Sequence, residues 1–401
     1  MGLPENCGLE LYSRFQKGQK NLISDVPGVV VGHVTRREGD VNTGVTAILP
    51  HGGNLFHEKV MAGVEVLNGF GKSMGLIQVK ELGTIETPII MTNTLSVGTA
   101  FTGLCRYMLE QNPEIGVTTG TVNCLVTECN DGYLNDIRGL HVREEDIPQA
   151  IRNASPDFEE GAVGSGTGMS CLGLKGGIGS ASRKLEIEGE TYHIGALVMT
   201  NFGAPGHLVI GGVHYDTRTV KKKDIKRLVK QRMASISFEE EKKAEREAEK
   251  EAEKMDRFSE SAKSQGENRK EILEEGIVQE QDKGSIIMII GTDIPLSERQ
   301  LTRVAKRSAI ALGRCGSYMG NGSGDIAISF TTANRIPHEP EQSILTMKMF
   351  SDDEISKVFE ASVEAVEESI ISSLWHAESF IGRAGHGRMG LQDYLKNLKD
   401  L

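Results

Sequence analysis

The chain has 401 residues, 38% of them hydrophobic and 25% charged, and a formal net charge of -11. That length allows one large core or two ordinary domains, and the negative balance argues against a general affinity for nucleic-acid phosphates or anionic membranes. The amino-terminal stretch lacks a basic segment followed by an apolar one, no run is apolar enough to span a bilayer, and the cysteines form no CxxC pair, so a cytoplasmic protein with reduced thiols is expected.

In chain order, strands are expected at residues 28–34, 44–50, 87–93, 121–128, 194–202, 285–290 and 325–332, where apolar residues alternate or run together. Several of these are apolar at consecutive positions, which implies cover on both faces. Two helices stand out. One follows a capping-box pattern at Ser297 and Gln300, with Leu301, Val304, Ala305, Ala309 and Leu312 on one face. The other follows the acidic start Asp352, Asp353, Glu354 and carries a stripe of Ile355, Val358, Phe359, Val363, Val366 and Ile370. Strands and helices that each bury one face must pack in layers, which makes the class mixed α and β.

Residues 219–283 read differently. The middle is Glu, Lys, Arg and Ala with helical pairs such as Glu239/Lys243 and Glu247/Lys250, and no face carries large apolar side chains. A solvated single helix or a disordered insertion is expected, with a partner-binding helix as the functional alternative. The insertion ends at Gly284-Ser285, where a rigid apolar strand begins.

Several motifs invite chemistry. Gly71-Lys72-Ser73 has the tail of a phosphate-binding loop, but Val66 stands where its first glycine belongs. His57-Glu58 opens like a zinc-protease helix, but Met61 replaces the second histidine, so no metal site and no cofactor are expected. Residues 161–183 hold eight glycines, together with apolar residues such as Met169, Leu172 and Leu174 that a solvated linker would not carry. Backbone folded tightly against a ligand or against another chain segment accounts for that mixture, with Ser180, Ser182 and Arg183 as polar contacts. The stretches 127–136, 200–207 and 321–327 each set polar groups at a strand end, where a cleft or a plain turn would use them.

Taken together, "ISDVPGVVVGHVT", "NGFGKSMGLIQVKELGTIETPIIMTNTLSVGTA", the glycine-rich stretch, "TNFG", "GSIIMIIGTDIPL" and "NGSGDIAISFTTAN" resemble the L-aminopeptidase/D-esterase family of self-cleaving β-aminopeptidases. The resemblance spans nearly the whole chain outside the insertion. It implies an α+β fold, a four-layer αββα sandwich similar to the amino-terminal nucleophile hydrolases but differently connected. It also implies one catalytic domain that cuts itself between Gly284 and Ser285 into residues 1–284 and 285–401. Ser285 would then be nucleophile and, through its new α-amine, base. Ser323 and Asp325 match the family's supporting serine and acid, with Asp325 in place of a glutamate. Asn201 matches the oxyanion asparagine and Glu128 the acid that binds the substrate amine. The family's oxyanion tyrosine falls on Asn130, with Tyr133 close by, so both are candidates for that place.

The function implied is hydrolysis of amino-terminal residues from small peptides, amides or esters through an acyl-enzyme, by a homo-oligomer of cleaved pairs. Two other readings accompany it: an acyltransferase of the ornithine acetyltransferase kind, which typically uses threonine, and an inactive binding or scaffold member of the fold.

Overall fold

The computed structural model of the chain describes residues 2–4, 7–232, 234 and 284–399. The first elements are strands β1 (Val30–Glu38), β2 (Val41–Leu49) and β3 (Glu58–Gly69), helix α1 (Leu76–Leu82), strands β4 (Thr84–Ile85) and β5 (Ile89–Asn93), helix α2 (Val97–Gln111), strand β6 (Leu125–Cys129) and helix α3 (Asp146–Arg152). Next come the short pair β7 (Ser170–Cys171) and β8 (Leu174–Lys175), the long strands β9 (Ile178–Ile187) and β10 (Glu190–Asn201), and the pair β11 (Leu208–Ile210) and β12 (Val213–Tyr215). The remainder holds β13 (Ser285–Thr292), α4 (Glu298–Arg314), β14 (Gly324–Pro337), α5 (Ser356–Trp375), the pair β15 (Phe380–Ile381) and β16 (Gly387–Arg388), and α6 (Leu391–Lys399). Of the expected insertion, residues 222–232 are helical, while residues 233 and 235–283 lie outside the described residues. Among the described residues no helix is long and apolar enough to cross a membrane.

The long strands form a four-stranded sheet, β1-β2-β5-β6, and a six-stranded sheet, β4-β3-β14-β13-β10-β9. The run Ile286 to Ile290 explains how they stack. Ile287 and Ile289 join Leu197, Met199, Ile328 and, from the opposite sheet, Ile89, Met91 and Leu125 in the core between the sheets. Ile286, Met288 and Ile290 point the other way and pack with Leu301 and Val304 of α4 and Val366 and Ile370 of α5. Each such side chain contributes about 1.5–3 kcal/mol when fully buried, so a strand apolar at every position is stable only between two covering layers. On the far side, Val45, Ala47 and Val126 pack with α2 and α3 through Leu104, Met108, Ile147 and Ile151. The layers therefore run helix, sheet, sheet, helix, the αββα sandwich.

Strands β13 and β14 pair in parallel, which requires a crossover. Helix α4 supplies it. Its first turn is the expected capping box: Ser297 Oγ accepts the Gln300 N–H at 3.3 Å, and Gln300 Oε1 accepts the Ser297 N–H at 3.0 Å.

In the glycine-rich stretch the glycines serve chain packing. A Cβ on Gly179 would lie 2.0 Å from the Ser369 carbonyl oxygen of α5, so helix backbone rests directly on β9. The serines bond within the fold as well, Ser180 Oγ to the Ala196 carbonyl at 2.7 Å and Ser182 Oγ to Asp25 Oδ2 at 2.6 Å. Arg183 turns into α5 and meets Glu364 at 2.9 Å and Glu368 at 2.7 Å. Strands β3 and β9, helices α1, α2, α3 and α6, and the strands of two or three residues are additions to the expected set of elements.

Candidate active site

Three strand ends converge on Ser285. Its Cα lies opposite Asn201, the last residue of β10, and opposite Gly324, the first residue of β14. Ser285 Oγ donates to the Gly284 carbonyl oxygen at 2.7 Å, and that same oxygen accepts the Gly324 N–H at 3.1 Å. Glycine is needed at both neighbours. A Cβ on residue 284 would lie 2.0 Å from the Asn201 carbonyl oxygen, and one on residue 324 would lie 2.9 Å from Ser285 Oγ and 2.7 Å from the Phe70 carbonyl oxygen.

Ser323 and Asp325 flank Gly324 and are fully buried. The Ser323 hydroxyl donates to Asp325 Oδ1 at 2.6 Å. Asn68, at the end of β3, holds the turn ahead of them by donating to the carbonyls of Gly320, at 3.0 Å, and of Ser323. Asn201 is oriented from behind, because its Oδ1 accepts the Ser170 N–H at 3.0 Å, which leaves the amide NH2 as its remaining polar group.

A cleft of about 640 Å³ opens onto Gly284 and Ser285. Glu128, near the end of β6 and 2% exposed, also lines it. Glu128 Oε1 accepts the Lys72 N–H at 2.8 Å, and Oε2 accepts the Thr94 hydroxyl. Asn130, Phe70, Tyr318 and the turn Gly320–Gly322 complete the lining. The adjacent Cys129 does not compete as a nucleophile: burial first, then the charges of Glu128 and Asp325, push its thiol well above the ordinary range. Among the described residues no group of three or more His, Cys, Asp or Glu could hold a metal ion. His57 instead pairs with Glu114 at 2.5 Å.

Most of the residues expected at the site are therefore neighbours: Gly284, Ser285, Asn201, Ser323, Asp325, Glu128 and Asn130. Tyr133 is not among them, and its expected place in the cleft is corrected. Asn130 Oδ1 accepts the Gly132 N–H at 2.9 Å and closes a tight turn that carries residue 133 away. The Tyr133 carbonyl is then held by His386 at 2.8 Å. Its ring stacks on His386, 4.6 Å between centroids, beneath the Arg388 guanidinium at 3.8 Å, in a different cleft. Conversely, Phe70, Lys72, Thr94 and Tyr318 line the Ser285 cleft without having been singled out as its residues by sequence. Phe70 and Lys72 fall in the stretch that mimics a phosphate loop, Thr94 within a family motif, and Tyr318 just ahead of the 321–327 turn.

Comparison with known proteins agrees with this geometry. The model of peptidase family S58 matches residues 21–388. A curated relative, the β-peptidyl aminopeptidase BapA of Sphingosinicella microcystinivorans, is 33% identical over 380 residues, covering 92% of this chain and 85% of that protein. Among solved structures, the PH0078 protein from Pyrococcus horikoshii OT3 shares 47% identity with a TM-score of 0.79, over 98% of this chain and 97% of that one. The L-aminopeptidase D-Ala-esterase/amidase from Ochrobactrum anthropi, described as a prototype for the serine aminopeptidases, shares 30% identity with a TM-score of 0.78 over the same shares. The fold is thus the variant of the Ntn hydrolase fold for which that structure was described. The chain belongs to peptidase family S58.

Proposed function

We propose that this chain cuts itself between Gly284 and Ser285 and then works as a serine aminopeptidase, releasing amino-terminal residues from small peptides, amides or esters. The relative BapA is named for β-peptidyl substrates, and we extend that reading to this chain, so that β-linked amino-terminal residues fall within its range. The observation that carries the reading is the 2.7 Å hydrogen bond between Ser285 Oγ and the Gly284 carbonyl, at the meeting of three strand ends and in a cleft that Glu128 also lines.

Self-cutting follows from that contact. Ser285 Oγ bonds to the Gly284 carbonyl carbon, the C–N bond breaks, and the hydroxyl proton passes to the departing nitrogen. The Gly324 N–H, already on the carbonyl oxygen, stabilises the charge that develops there. Water then hydrolyses the ester, leaving a Gly284 carboxylate and a free Ser285 amine.

That amine has an ordinary pKa of about 7.7 to 8.0, which suits a base near neutral pH. In the cleaved enzyme Glu128 pairs with the ammonium of the substrate, and Ser285 Oγ attacks the scissile carbonyl while its proton moves to the α-amine. The Asn201 NH2 takes the oxyanion. The protonated amine returns its proton to the leaving nitrogen or oxygen, and water, activated by the same amine, releases the acyl group. Ser323 and Asp325 act as positioning residues that orient the Ser285 amine. The working assembly is read as a cytoplasmic homo-oligomer of cleaved pairs, which light scattering of the purified protein checks.

Amino-terminal sequencing tests the proposal. The wild-type protein should give two chains, one beginning at Ser285, and Ser285→Ala should remain a single 401-residue chain without aminopeptidase activity. Efficient cutting of Ser285→Ala, or full activity of an uncut wild-type chain, would overturn it.

A further inference from the structure

Besides the groups assigned above, the cleft carries one feature the aminopeptidase reading does not use. Among the described residues lining it, Glu128 is the one carboxylate and Lys72 the one cation. The two are tied at the backbone, because the Lys72 N–H donates to Glu128 Oε1 at 2.8 Å. A lysine side chain that starts at the edge of a carboxylate can place its ammonium within reach of any group bound there. Lys72 Nζ lies 4.3 Å from the centroid of the Phe70 ring, itself a wall of the cleft, and no carboxylate among the described residues neutralises it. The backbone beneath is fixed: the Phe70 N–H donates to the Ser323 carbonyl at 3.3 Å, and a Cβ on Gly71 would lie 3.4 Å from Glu128 Oε1.

A cation beside an amine-binding carboxylate is a poor arrangement for a substrate that brings only an ammonium. It competes for the carboxylate and repels the incoming charge. It becomes favourable when the substrate brings a negative charge on the carbon that bears its amine. An ordinary amino-terminal residue has no such charge, since its own carboxyl is the scissile carbonyl. An isoaspartyl residue does: its peptide bond runs through the side-chain carbonyl, which leaves the α-carboxylate free beside the α-amine. Its amine is then β to the scissile carbonyl, the relation found in a β-amino residue.

Resting on the aminopeptidase reading, we propose that the cleft selects isoaspartyl peptides. Glu128 takes the α-ammonium, Lys72 takes the α-carboxylate, and the β-carbonyl lies at Ser285. The reaction consumes one water and yields aspartate and the shortened peptide, and no further reactant is needed.

The test compares kcat/KM of the self-cut enzyme for L-isoaspartyl-alanine, β-alanyl-alanine and α-L-aspartyl-alanine. The isoaspartyl peptide should lead the β-alanyl one by about tenfold, the size of one charge-assisted contact in a partly open cleft. That ratio should fall about tenfold in Lys72→Met, further in Lys72→Glu, and also in wild-type enzyme as salt is raised. A ratio that Lys72→Met leaves unchanged, or a preference for the β-alanyl or α-aspartyl peptide, overturns the proposal while leaving the aminopeptidase reading intact. Hydrolysis of none of the three by a protein with an exposed Ser285 terminus removes both.

Discussion

Two groups of buried polar side chains stand in contrast, one where α5 covers the six-stranded sheet and one where strand ends of both sheets meet, and only the second lines a cleft. Beneath α5, Arg183 donates through Nε to Glu364 and through Nη2 to Glu368, at 2.9 and 2.7 Å. Glu368 also receives Lys17 Nζ at 2.8 Å and Asn21 Nδ2 at 2.6 Å. Burial alone would raise the Glu368 carboxyl, but the charges of Arg183 and Lys17 bring it below its usual value. Every charge in that cluster is answered inside the protein. At the strand ends, Ser285, Ser323, Asp325 and Glu128 are equally buried and hydrogen-bonded, yet a cleft of about 640 Å³ reaches Ser285 and Glu128. Burial of polar groups therefore does not mark chemistry by itself. What sets the second group apart is access, together with a serine hydroxyl bonded to the carbonyl of the residue before it.

The sharpest way to break this comparison is Arg183→Met. Removing the guanidinium leaves buried Glu364 without its cation and Glu368 with Lys17 alone, a loss of about 3–5 kcal/mol. Urea unfolding should show that loss, while kcat of the folded fraction stays within about twofold of wild type. A fall in kcat at unchanged stability would place the cluster in the chemistry. Asn201→Ala should do the opposite, lowering kcat by about 10²–10³ as the proposed oxyanion donor is lost, while stability falls by only the roughly 1–3 kcal/mol of the Ser170 N–H bond to Asn201 Oδ1. An effect below about threefold would remove Asn201 from that role.

The same contrast explains what the sequence made legible. The five apolar residues after Ser285 predict cover on both faces, and Ser297 with Gln300 predicts the start of α4, because both signals are local. The neighbours of Ser285 become readable through family resemblance, since their meeting depends on strand register and not on spacing. What stayed hidden was decided at long range. Whether residue 130 or 133 entered the cleft depended on the Asn130–Gly132 turn and on His386, which lies more than two hundred residues away. The glycine-rich stretch left two accounts open because a glycine that admits a ligand and one that admits a helix look alike in sequence. The Ser369 carbonyl against Gly179 decides between them. Lys72 was read against a phosphate-loop pattern that it does not complete, whereas its backbone contact with Glu128 is visible only once β3 and β6 are in place.

A third polar site, half-buried on β1, gives the smallest test. His33 on β1 has Nδ1 3.0 Å from Thr46 Oγ1 and Nε2 3.1 Å from the Glu159 carbonyl oxygen. Burial lowers its pKa to about 4, with the Glu159 carbonyl acting in the opposite sense. In the unfolded chain the imidazole titrates near its ordinary value of about 6.5. Between these two values the unfolded state holds a proton that the folded state refuses, so stability rises with pH across the window and is lost as pH falls from about 6.5 toward 4. The loss should be about 2 kcal/mol, because the ring keeps partial solvent contact. Carboxylates titrate in the same range, so the readout is the difference between wild type and His33→Gln in urea midpoints at neutral and acidic pH. The variant should lose less stability on acidification than the wild type. Equal losses would mean that this imidazole, unlike the ions around Arg183, carries no share of the fold's response to acid.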